Sequence, residues 1–102
     1  MRFTVGARLK SAVDETQIIA VRAPAGDVDV TCGGHPLVAL DAAPPPGLSV
    51  EPGHGGGTLL GKRYADDETG IELLCTQAGQ GALFVNGEPL RIKEAKPLPS
   101  SD

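Results

Sequence analysis

The chain has 102 residues, with nine Lys and Arg against 13 Asp and Glu and a net charge of −4. That balance lacks the basic footprint a nucleic-acid binder needs to displace counterions, and no stretch is long and apolar enough to span a bilayer. The 14 Gly and 9 Pro favour turns over long helices, and only Phe3, Tyr64 and Phe84 are aromatic, so the core is a thin one of Val, Leu, Ile and Ala.

A core of that size is marginal unless it is stapled or associated, so a homo-oligomer or a permanent larger partner is expected. Residues 1–6 carry no apolar segment of a secretory signal. Two cysteines, Cys32 and Cys75, are too few for a disulfide scaffold, and a reduced cytoplasmic protein is the expectation.

In chain order, residues 1–10 are predicted to add an edge strand through Phe3, Val5 and Leu9. Residues 17–22 read as a strand, 23–26 as a turn, and 28–32 as the returning strand of a hairpin. In that return Val28, Val30 and Cys32 share one face, and Asp29 and Thr31 the other. Residues 41–58, with Pro44-Pro45-Pro46 and Gly55-Gly56-Gly57, read as a stiff and then flexible crossing loop. Residues 71–76 and 82–85 repeat the two strands around a Gly-rich turn at 77–81, and Asn86-Gly87 is a further turn signal. The expected organisation is a first β unit at 1–40, a Pro/Gly-rich connection at 41–60, a second β unit at 61–95 and a disordered tail at 96–102.

The two units are related. Shifting the chain against itself by 53 positions lays residues 12–37 on 65–90 without a gap. Ten of the 26 pairs are identical, among them Asp14-Glu15-Thr16 on Asp67-Glu68-Thr69 and Pro36-Leu37 on Pro89-Leu90, where chance gives about two. One supersecondary unit used twice is expected to pack its copies on each other, since neither buries its apolar face alone. The fold class expected is therefore all-β, a small tandem-repeat domain of two pseudo-symmetric hairpin units.

The second unit carries a more specific likeness. Tyr64 leads, Gly70 precedes the strand at 71–74, Gly79-Gln80-Gly81 forms the turn, and Gly87-Glu88-Pro89-Leu90 closes it. This spacing resembles the desulforedoxin family of small iron modules, over about half the chain when both units are counted. The resemblance puts that family's four thiolate positions at Asp66, Thr69, Val85 and Asn86 in the second unit. In the first unit they fall on Val13, Thr16, Cys32 and Gly33. One of the eight is a cysteine. Val cannot ligate, and Asn and Thr suit a soft iron site poorly, so the likeness implies the fold and argues against the iron. Desulforedoxin-like modules pair as two-fold dimers, which implies that a tandem copy makes the pairing within one chain.

Candidate sites are few. Cys32 and His35 have the spacing to share a metal ion or form a reactive-thiol site. The alternative is that Cys32 continues the apolar face of Val28 and Val30 while His35 is an exposed turn residue, and that reading is preferred. Cys75 falls on the apolar face of its strand; a zinc site joining it to Cys32, His35 and His54 would need a strand and two loops to converge. Residues 56–62 match the start of a phosphate-binding loop, but Arg63 stands where Ser or Thr would bind magnesium and no helix follows. Lys62-Arg63-Tyr64 is the one basic-aromatic cluster and the candidate partner-docking surface. With no nucleophile–base pair and no cofactor motif, the expectation is a non-enzymatic, metal-free accessory or protein-binding module. The alternative is a metal-binding or redox protein using Cys32 and His35, and, behind it, a small enzyme with Cys32 as nucleophile.

Overall fold

The computed structural model describes residues 3–93. The described chain is all β, with no helix. Its strands are β1 (Arg8–Lys10), β2 (Gln17–Arg22), β3 (Val30–Cys32), β4 (His35–Pro36), β5 (Val38–Ala39) and β6 (Gly55–Thr58), then β7 (Arg63–Ala65), β8 (Glu72–Gln77), β9 (Gly79–Gly81), β10 (Leu83–Val85), β11 (Glu88–Pro89) and β12 (Arg91–Ile92). The expected tail at 96–102 lies outside the described residues, as do 94 and 95 of the second unit. No helix among the described residues is long and apolar enough to cross a membrane.

Three antiparallel sheets form. The largest has the order β12-β7-β8-β2-β1-β5, the second β11-β10-β3-β4, and β6 pairs with β9 in the third. Alternation along the strands builds the core, because successive side chains point to opposite faces. Ile18 and Ala20 of β2 and Leu73 and Cys75 of β8 are buried from one sheet, and Val30, Cys32, Leu83 and Val85 from the other, all in one cluster. Two tight turns need special backbone. Gly33 and Gly34 join β3 to β4, and Asn86 and Gly87 join β10 to β11, all four with positive φ. Positive φ at both central residues is the type I′ hairpin turn, which selects Gly and Asn.

The strand expected at 17–22 forms, and of the return expected at 28–32 residues 30–32 form β3, but the two do not make a hairpin with each other. β2 pairs with β8 and β1, while β3 lies in the other sheet and pairs with β10 and β4. The same holds for β8 and β10 in the second half. Hairpins are instead made by β1–β2, β3–β4, β7–β8 and β10–β11. Periodicity fixes which face a strand buries and is silent on its neighbour. Two further expectations are corrected. The N-terminal strand is not an edge, since β1 lies between β2 and β5. Gly79–Gly81 is strand rather than turn, held by β6 from within the segment read as a crossing loop.

The strand bounds recur along the chain at two spacings. β1 and β2 recur as β7 and β8 after a shift of 55, and β3, β4 and β5 recur as β10, β11 and β12 after a shift of 53. The central ladders follow the same shifts. In β2–β8, Ile19 faces Leu74, its own counterpart at 55, and exchanging the strands turns Ile18↔Cys75 into Ala20↔Leu73 and Gln17↔Gln77 into Arg22↔Glu72. In β3–β10, Thr31 faces Phe84, its counterpart at 53. Both ladders are two-fold in register. The gapless alignment at 53 is therefore two residues out over the first hairpin, a slip that keeps every side chain on its proper face because the strand period is two.

Candidate functional site

Cys32 and His35 face each other in register across the Gly33-Gly34 turn, and each side chain has its own surroundings. The Cys32 thiol lies in the core and is fully buried. Burial, and then the nearby Asp14 carboxylate, push its pKa up. Gly81 of β9 closes over it, so tightly that a Cβ there would come within 2.9 Å of the sulfur. A nucleophilic cysteine needs the opposite surroundings, exposed and electropositive. His35 is not the exposed turn residue expected: it lies on β4, its imidazole is only 19% exposed, and Nε2 is 3.1 Å from Glu51 Oε1 and 3.1 Å from the Ser49 carbonyl. Cys75 is buried too, which raises its pKa, and its thiol donates to the Gln77 carbonyl at 3.2 Å. The ring of His54 packs 4.4 Å from Phe84. Among the described residues, no three of His, Cys, Asp and Glu are grouped to hold a metal ion.

Beside Cys32 the chain builds a closed polar cluster. Ser11 Oγ accepts from the Val13 and Asp14 N–H groups at 3.1 and 3.2 Å. Asp14 accepts from the Thr16 N–H at 3.1 Å and from the Gly81 N–H. Burial alone would raise the Asp14 carboxyl, but the hydrogen bonds from Gly81, Ser11 and Thr16 together outweigh it and hold the pKa low. These bonds tie β9 to the first hairpin, so the cluster is structural support.

The second candidate, Lys62-Arg63-Tyr64, divides. Tyr64 is only 6% exposed, which removes it from the surface. Its hydroxyl accepts from the Leu59 N–H at 2.9 Å and so pins the turn before β7. That turn, residues 59–62, closes with the Lys62 N–H on the Leu59 carbonyl at 3.3 Å, and Gly61 supplies the positive φ. It holds two leucines outward, Leu59 at 53% and Leu60 at 65% exposure, beside the exposed Lys62 and Arg63. The shift of 55 finds the same construction at residues 4–7. The Ala7 N–H closes on the Thr4 carbonyl at 3.0 Å, Gly6 has positive φ, and Val5 stands out at 68% exposure. Gly6 and Gly61 each donate to the neighbouring strand, to Ala20 and Cys75. The sequence signal is Val5-Gly6-Ala7-Arg8 against Leu60-Gly61-Lys62-Arg63, an aliphatic-Gly-x-Arg repeat that alignment at 53 passes over.

Arg63 also serves the interior. Its Nη1 lies 3.3 Å from Oε2 of the buried Glu72, and Lys93 Nζ lies 2.9 Å from Oε1. The hydrogen bond from Lys93, with the charges of both cations, holds the Glu72 pKa down against burial. Both Glu72 and Asp14 thus have folded values below their ordinary 4.5 and 3.8. A depressed carboxylate contributes stability above its unfolded pKa and loses it as pH falls through the folded value. Thermal melts should therefore be flat from neutral pH to about pH 5 and fall steeply below about pH 4. Glu72→Gln should lower the neutral-pH stability by about 1 kcal/mol, a modest loss because both cations are half exposed, and shallow the acid limb. No protein-family model, curated protein or solved structure matches this chain, so its chemistry is read from its own residues.

Proposed function

We propose that this chain is a non-enzymatic, metal-free accessory module that docks on a larger protein, or on itself, through the tip at residues 59–62. One observation carries this. Two adjacent leucines are held in water by a turn that the buried Tyr64 hydroxyl and Gly61 fix in place. Isolated exposed apolar residues are ordinary, but a paired apolar tip on a fixed turn with flanking cations is a preorganised contact. Sealing of the Cys32 thiol under Gly81 supports a role without thiol chemistry.

We read the two halves as desulforedoxin-like units closed on each other as an intramolecular pair. The two-fold register of the β2–β8 and β3–β10 ladders supports this, since pairing of like strands with like is what a two-fold dimer makes. At the positions the resemblance gives to thiolates, Val13 crowds Gly33, where a Cβ would lie 2.7 Å from the valine Cγ2. Packing has taken the room there. The free thiols of Cys32 and Cys75 suit a cytoplasmic setting.

The test is affinity capture with the full chain from lysate of its source cell. Wild type and Cys32→Ala should recover the same larger protein, and Leu60→Asp should lose it while keeping its melting temperature. Equal recovery by Leu60→Asp would remove the tip from the interface. Failure of Cys32→Ala in a folded state would return the thiol to the centre of the function.

A further inference from the structure

The tip at 59–62 enters β7, and at the far end of that strand lies a groove of about 730 Å³. Its apolar lining includes Ile71, Pro89 and Ile92. Five carboxylates, of Asp66, Asp67, Glu68, Glu72 and Glu88, line it against three cations, of Arg22, Arg91 and Lys93. Glu72 is matched by Lys93 within the chain. Asp66 accepts from the Thr69 N–H and hydroxyl at 3.0 and 2.8 Å. The remaining acids, Asp67, Glu68 and Glu88, are exposed, as are Arg22 and Arg91, so the lining keeps an excess of two carboxylates over cations. Ile92 is itself 40% exposed, on the edge strand β12.

Tip and groove are complementary: two leucines beside Lys62 on one, exposed Pro89 and Ile92 among an excess of carboxylates on the other. They stand at opposite ends of the same short strand, so a chain cannot fill its own groove with its own tip. Resting on the docking role above, we propose that a second copy of this chain occupies the groove, seating Leu59 and Leu60 on the exposed Pro89 and Ile92 with Lys62 against the acids of the rim. A contact between two different surfaces is heterologous, so each added copy presents a fresh tip and a fresh groove. The chain's net charge of −4 disfavours the competing occupant, an anionic bilayer.

Sedimentation of the full chain over a concentration series tests this. Wild type should grow with concentration past the dimer, and salt should weaken it, because the rim contacts are exposed. Leu60→Asp, with a dead tip, and Ile92→Asp, with a dead groove, should each stay monomeric with unchanged circular dichroism. Mixed, they should form a 1:1 complex that grows no further, since one intact tip meets one intact groove. Monomeric wild type at every concentration would overturn the proposal, as would a dimer that Leu60→Asp retains or a mixture that fails to associate. Monomeric wild type that binds anionic vesicles through Leu60 would give the tip to a membrane instead. Monomeric wild type that still needs Leu60 to hold a larger protein would overturn this contact and leave the docking role standing.

Discussion

Gly79→Ala should destabilise the protein by about 1–3 kcal/mol or somewhat more, and should make the Cys32 thiol label faster in the folded state. Gly79 lies on β9, directly over the first hairpin. A Cβ there would overlap the Thr16 hydroxyl and sit 2.7 Å from the Thr16 backbone nitrogen and 3.1 Å from Asp14 Oδ2. Thr16 is fully buried, and its N–H is committed to Asp14, so it has nowhere to move. The cheaper response is for β9 to lift. That would break the Gly81 N–H bond to Asp14 and the bond from Thr58 Oγ1 to the Gly81 carbonyl, 2.7 Å long, and it would uncover the sulfur beneath Gly81. Gly26 is the control, because it is the residue that the gapless alignment places on Gly79. A Cβ at Gly26 meets nothing within 4 Å, and its φ is ordinary. Gly26→Ala should therefore be neutral or stabilising by up to about 1 kcal/mol, through the unfolded chain. Urea melts give the energies and timed thiol labelling gives the exposure. Equal effects at the two glycines would mean that β9 is not packed on the Thr16–Asp14–Cys32 cluster.

The contrast between these glycines shows what the sequence carries and what it omits. Alternation at Val28, Val30 and Cys32 is legible because burial of one face imposes a period of two, whereas the continuous apolar run at 18–21 marks a strand without saying which face is buried. The Asn86-Gly87 turn was legible because few residues accept positive φ twice in succession. Pairing was not legible. An apolar face on β2 is satisfied equally by β3 or by β8, and only the three-dimensional closure of the two halves selects β8. A two-residue slip also leaves every face intact, so identities at 53 gave no warning that the first hairpin recurs at 55. At the candidate site, Lys62 and Arg63 were visible as charges. Tyr64 does not share their surface, because an amphipathic ring suits both settings and here it turns inward, with its hydroxyl accepting from the Leu59 N–H. Leu59 and Leu60 fall within the 56–62 segment whose sequence suggests a phosphate loop, and nothing in their apolar character says that the turn holds them outward.

Leu73→Ala should cost about 2–5 kcal/mol, the range for a leucine removed from a closed core. Leu73 sits in the central strand of the largest sheet, opposite Ala20 and adjacent to Tyr64 across the β7 ladder. It has no exposed surface. Ala20 is too small to expand into the space, and the rest of the core is aliphatic and thin, so the cavity has little to collapse with. For a domain of this size each kcal/mol moves the melting temperature by roughly 4–8 °C, which puts the expected fall at roughly 8–40 °C. Leu74, the next residue, faces the other side of the sheet and is only partly buried, so Leu74→Ala should cost distinctly less. Leu60→Asp, on the exposed tip, should stay within about 0.5 kcal/mol of wild type. Calorimetry on the three variants reads this ordering directly. A Leu73→Ala protein that melts with wild type would mean that β2 and β8 are not held by the side chains between the sheets. A Leu60→Asp protein that melts early would mean that the tip is part of the fold, and then its loss of binding could not be assigned to a docking contact.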